Sequence, residues 1–134
     1  MDERLATPVR VLQLAFGLTA TLAGLDKFFN LLADWGSYVS PLAAAISPLP
    51  VSALMAIVGV VEMAVGATVL VVAPRLGAYV VSVWLLLVAA NLVIGGHFDI
   101  AVRDIVMSIS AFVLARELEA RDAATVADKR AVLA

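Results

Sequence analysis

The sequence predicts an all-α integral membrane protein, a four-helix bundle with a short interfacial helix after the first span. Three observations carry that expectation. The chain is 63% hydrophobic and only 15% charged, whereas soluble domains run near about 45–50% apolar and 25% charged. Its mean hydropathy is +1.06, and 134 residues leave no soluble core large enough to absorb that excess. The apolar residues also fall into stretches separated by proline, glycine and polar turns. The clearest is 51–73, VSALMAIVGVVEMAVGATVLVVA; about 20 such residues cross the roughly 30 Å hydrocarbon core. A chain this short forms one transmembrane domain, 1–134.

Residues 1–8 form a short polar head, and 9–32 the first span. Residues 11–23 have the look of a signal-peptide h-region with a small-residue exit. Asp2, Glu3 and the long apolar continuation argue against that. Residues 33–50 are the one long connection. Trp35 and Tyr38 suit the headgroup layer. Ser40 followed by Pro41 reads as N-cap and first helical position of a short helix over 41–46. Pro48 and Pro50 then lead into the second span, 51–73.

Residues 73–77, APRLG, make a tight hairpin. The third span, 76–94, carries Trp84 and is broken by Gly95 and Gly96. The fourth, 100–115, is the weakest, because Arg103 and Asp104 sit in its first turns. It continues as a polar helical tail over 116–134, aided by Glu117 and Arg121 at i,i+4.

Lysine and arginine set the orientation. With four spans, Arg4, Arg10, Arg75, Arg116, Arg121, Lys129 and Arg130 share one side, while the other holds only Lys27 and Arg103. The positive-inside rule puts the first side, with both termini, in the cytoplasm, and the protein in the plasma (inner) membrane.

Composition also excludes whole classes. There is no cysteine and one histidine, His97. Structural disulfides, iron–sulfur clusters, thiolate zinc sites and a bis-histidine haem within the chain are therefore ruled out, and no metal site is expected. A net charge of -2 points to no nucleic-acid partner.

Glu62 stands almost at the centre of the second span. Gly59, Glu62 and Gly66 fall at i, i+3, i+7 and share a face. Gly17, Thr21 and Gly24 form a similar stripe, as do Asp104, Ser108, Ala111 and Ala115. Small residues let membrane helices approach closely, so Gly17, Gly24, Gly59 and Gly66 are expected at packing seams, and Glu62 points toward protein. An unpaired carboxylate at that depth is costly, so Glu62 is expected to be paired or protonated.

Asp26, Lys27, Asn91, His97, Asp99, Arg103 and Asp104 gather toward the non-cytoplasmic end. Together with Glu62 they are the candidates for binding a ligand or a proton. Glu62 lies about eleven residues, or roughly 16 Å, below the outer end of its span, and Lys27 only a few ångströms deep. A direct Lys27–Glu62 pair therefore needs one helix to shift, or Asn91 or water between them. Asp99 and Arg103, at i,i+4, read as a surface pair, and His97 as a loop residue. Serines and threonines inside the spans are expected to bond back to their own helix. No nucleophile–base arrangement and no phosphate loop appears, so no catalytic residue is assigned.

These residues resemble the DoxX-like membrane proteins. The likeness lies in Arg10 before the first span, Gly17 within it, Gly24 three residues before Lys27, then Gly59, Glu62 and Gly66, and the polar start of the last span. It covers residues 10–115. The resemblance implies a small four-helix membrane protein found with redox systems. The related DoxD type is a subunit of a thiosulfate:quinone oxidoreductase, and other relatives are proposed partners in thiol and oxidative-stress complexes. The expectation is thus a membrane subunit of an oxidoreductase complex. It would be surrounded by lipid and by other subunits or copies of itself, without an intrinsic cofactor but facing a quinone. A purely structural subunit, or a small transporter or proton-conducting bundle, are the alternatives.

Overall fold

The computed structural model describes the backbone of residues 3–134 and the side chains of residue 4 and of residues 6–134. Met1 and Asp2, part of the expected polar head, lie outside the described residues. Among the described residues every regular element is helical: α1 (Glu3–Asp26), a short 3-10 turn (Trp35–Tyr38), α2 (Pro41–Ile46), α3 (Val51–Ala67) continued by a π-turn (Thr68–Val72), α4 (Pro74–Ile94) and α5 (Phe98–Leu133). Three segments are long and apolar enough to cross a membrane: Ala6–Asp26, Val51–Val72 and Pro74–Ile94. Their outward faces carry Leu, Val and Ile, from Val11 and Leu22 on α1 to Leu86 and Leu87 on α4. An apolar exterior of this extent belongs to lipid or to other protein rather than to water.

Helix α1 stops at Asp26, six residues before the expected end of the first span. Asp26 itself stops it. Its backbone carbonyl accepts from Phe29 N (2.9 Å) and Asn30 N (2.6 Å). Asn30 takes the left-handed conformation, φ 53°, which asparagine tolerates better than most residues. The Asp26 carboxylate then gathers Leu31 N (3.0 Å), Leu32 N (2.8 Å) and Trp35 Nε1 (2.9 Å). So 27–34 leave the helix axis and fold back over its end.

Helix α2 has the bounds that the Ser40–Pro41 pair predicts; the Ser40 hydroxyl accepts from Ala43 N at 3.1 Å. Pro74 opens α4 two residues earlier than expected, as proline at N1 does well.

Helices α1 and α3 pack through their small-residue stripes. A β-carbon built on Gly59 would lie 2.5 Å from the Gly24 carbonyl oxygen, and one on Gly24 would lie 2.5 Å from that of Gly59. Only glycine allows backbones this close. Below them Gly66 meets the Gly17 carbonyl, where a β-carbon would lie 2.8 Å away.

At its lower end α3 loosens into the π-turn. Buried Gln13 on α1 donates Nε2 to the carbonyls of Val69 (3.0 Å) and Leu70 (3.3 Å). A π-turn disturbs the regular ladder, and the amide satisfies carbonyls that would otherwise be orphaned in an apolar surround.

Helices α4 and α5 form the second pair. Ala78, Ser82 and Ala89 face Ala101, Ser108, Ala111 and Ala115 in the buried seam. Ser82 Oγ donates to Ser108 O (2.9 Å), and Ser108 Oγ donates to Ser82 O (2.7 Å). These two hydroxyls bond across the seam, contrary to the expectation of bonding back along the helix. Thr21, Thr68 and Ser110 do bond back, each to the residue four before. The difference is the neighbour: the serines face another backbone within reach. The buried face of α5 runs from Ala101 to Leu118, about 26 Å at 1.5 Å per residue. Beyond it the helix leaves the bundle exposed.

Val9, Ala78, Leu114, Ala115 and Leu118 share one apolar cluster. The start of α1, the start of α4 and the middle of α5 therefore lie at one end of the molecule. Tyr79 Oη donates to Glu119 Oε2 there at 2.6 Å, and Arg116 Nη1 lies 3.5 Å from the same oxygen. Arg116 and Tyr79 thus engage Glu119, whereas the expected pair was Glu117 with Arg121. The Tyr79 hydrogen bond is the main reason that the Glu119 carboxyl sits below its ordinary pKa.

Candidate polar site within the helices

The one acid at the centre of α3 has found a base. Lys27 Nζ lies 2.6 Å from Glu62 Oε2, and the two side chains are only 6% and 13% exposed. This direct contact differs from the depth argument, and the reason is where α1 ends. Gly24 packs against Gly59, eight residues inside the start of α3, which is about 12 Å down its axis. Helix α1 therefore ends well below the outer end of α3, and Lys27 stands beside Gly59, one helical turn outward of Glu62, within reach of its carboxylate.

Two indoles complete the group. Trp84 Nε1 on α4 donates to Glu62 Oε1 at 3.2 Å. The Lys27 ammonium stands 3.9 Å from the centre of the Trp35 ring, a cation–π geometry, and Ala23 O lies 3.5 Å away. Trp35 in turn donates to Asp26. The carboxylate–ammonium pair thus bridges α1 and α3 and reaches α4 through Trp84. Neither indole is among the site residues expected from sequence. The signal was present: an indole N–H in an apolar span needs an acceptor, and Glu62 is the one acid in the spans that face α4 from α3.

The remaining candidates disperse. Asn91 is not between Lys27 and Glu62: its Oδ1 accepts from Ser40 N (2.9 Å) and its Nδ2 donates to Tyr38 O (2.7 Å). It pins the long connection to α4. His97 meets the Tyr38 ring edge-on at 5.1 Å. Arg103 lies 3.5 Å from Asp104 and not in a pair with Asp99, because the neighbouring carboxylate is buried and the guanidinium covers it from outside. Asp104 is 4% exposed, within electrostatic reach of Glu62.

A cleft of about 360 Å³ opens beside Lys27, lined by Phe28, Asn30, Asp34, Ser52 and Met55 among others. Among the described residues no buried side-chain nitrogen or oxygen lacks a partner, and no group of three or more His, Asp or Glu is set to hold a metal. Chemically, the arrangement is a closed ion pair with its hydrogen-bonding capacity turned inward.

No family model, curated protein or solved structure matches this chain.

Proposed function

We propose that the chain is a DoxX-like small membrane subunit that anchors partner subunits of a redox complex. In this reading α5 is the fourth span, the bundle sits in the inner membrane and both termini are cytoplasmic. The buried face of α5 supports the fourth span: about 26 Å of it lies along α4, close to one hydrocarbon thickness. The orientation is supported by Arg10, Arg75 and Arg116, which belong to the end where α1 and α4 begin, while Lys27 and Arg103 belong to the other.

The observation that carries the anchoring role is the closed Lys27–Glu62–Trp84 group. It joins three helices and commits its acid and its base to each other, which suits a scaffold better than a catalyst. A quinone-facing site fits the cleft beside Lys27, where Phe28 and Met55 offer apolar contact and Asn30 and Ser52 offer hydrogen bonds. Asn91, committed to the connection, takes no part in it.

The test is gentle extraction from native membranes and identification of everything that co-purifies. A stoichiometric redox partner or retained quinone supports the reading. A protein that emerges alone and ligand-free, while a control complex survives the same treatment, overturns it. A purely structural subunit is the second reading, favoured by the absence of any unsatisfied buried polar atom among the described residues. It predicts that filling the cleft beside Lys27 leaves partner assembly untouched.

A further inference from the structure

The outer face of α4 carries a feature that shares only Trp84 with the Lys27–Glu62 group. Arg75, Tyr79, Val83 and Leu87 follow one another at i, i+4, i+8 and i+12, so they form one continuous ridge that winds slowly round the helix. Tyr79, Val80, Val83, Trp84 and Leu87 line an open, almost wholly apolar groove of about 300 Å³. From Arg75 to Leu87 is about 18 Å along the axis, slightly more than one leaflet of a roughly 30 Å core. Tyr79 and Trp84 are its two aromatic lining residues. The first is held from behind by Phe112, at 6.1 Å edge-to-face, and the second by its bond to Glu62.

The charged end of this line is distinct from its apolar body. Tyr79 donates its hydroxyl to Glu119, and Arg116 lies 3.5 Å from the same carboxylate. Arg75 also acts on Glu119 electrostatically. Two guanidinium groups therefore face one carboxylate, and that carboxylate is already engaged. The Arg116 side chain remains 64% exposed, and Arg75 is exposed at the first turn of α4. The two arginines thus stand at headgroup level, beyond the Tyr79 end of a groove about 12 Å long.

We infer that this face of α4 is a binding site for one anionic phospholipid, its phosphate between Arg75 and Arg116 and one acyl chain along Tyr79, Val83 and Leu87. The chemistry selects the occupant. An uncharged lipid fills the groove equally well but leaves the guanidinium pair without an anion. An anionic headgroup gains from each nearby arginine at the membrane surface, about fivefold per residue at low salt. The inference rests on the membrane reading above and is independent of the redox role.

Trp84 reports on the site directly. The protein is reconstituted in phosphatidylcholine bilayers in which a minor fraction of lipid bears brominated acyl chains, either as phosphatidylglycerol or as phosphatidylcholine. The Trp84→Phe protein supplies the Trp35 background. At equal mole fraction the brominated anionic lipid is expected to quench Trp84 several-fold more strongly, and salt is expected to narrow the gap. The combined Arg75→Gln and Arg116→Gln protein, folded by its circular dichroism, is expected to quench equally with both. Equal quenching in the unaltered protein overturns the lipid site while leaving the membrane reading intact. No quenching by either lipid overturns both.

Discussion

Breaking the Lys27–Glu62 pair is the most informative perturbation. Its groups are 2.6 Å apart and almost wholly enclosed, so removing one leaves the other buried and uncompensated. For such pairs the loss is about 3–5 kcal/mol, well above the 0–1 kcal/mol typical of exposed pairs. Glu62→Gln keeps an acceptor for Trp84 but withdraws the charge that balances Lys27. Lys27→Met keeps much of the side-chain volume but removes the donor and the contact with Trp35. Each single change is expected near the stated range. The double change, Lys27→Met with Glu62→Gln, is expected to cost far less than their sum, because neither charge is left stranded. The assay is unfolding in mild detergent or lipid nanodiscs, followed by the fluorescence of Trp35 and Trp84, which flank the pair. The decisive quantity is the coupling in the double-mutant cycle. Additive effects, or single losses below about 1 kcal/mol, would refute the reading of Lys27–Glu62 as a tie between α1 and α3.

Three further predictions follow from the packing. Gly59→Leu is expected to separate α1 from α3 and abolish the folded state, since its β-carbon would meet backbone rather than a movable side chain; loss of monodisperse protein on gel filtration checks it. Gln13→Leu leaves the Val69 and Leu70 carbonyls of the π-turn without their donor and should cost about 1–3 kcal/mol, read as a lower melting temperature with faster hydrogen exchange at 68–72. Glu119 gives a pH dependence. Its carboxyl lies below its ordinary pKa when bonded to Tyr79, so its contribution is complete above the ordinary value. It is lost as pH falls through the lowered one, on the acid side of the usual carboxylate range. Hydrogen exchange at residues 116–121 should rise over that acid range, and Glu119→Gln should remove the dependence.

The sequence read well wherever structure follows from neighbouring residues. The short helix α2 was legible in Ser40 and Pro41 because a hydroxyl N-cap and a proline at N1 act within one turn. The glycine spacing on α1 and α3 placed Gly17, Gly24, Gly59 and Gly66 on stripes because a helix repeats every 3.6 residues. The end of α1 was harder, although Asp26 is a local cause: hydropathy runs on through Phe28, Phe29, Leu31 and Leu32, and masks the carboxylate that turns the chain.

Other features lay beyond any local signal. Apolar composition determined that this chain makes long helices; four spans were expected, and three of the helices are long and apolar enough to cross a membrane. It could not determine how deep one helix stands against another, because sliding two apolar cylinders changes little in their hydropathy. That register was decided by the contact of Gly24 with Gly59. From it follow the pairing of Lys27 with Glu62, the reach of Trp84 to the same carboxylate and the release of Asn91 to hold Tyr38 and Ser40. The same holds for Ser82 with Ser108 and Gln13 with the π-turn. Each is a polar group whose partner is chosen by proximity between helices, and proximity is a property of the folded packing alone.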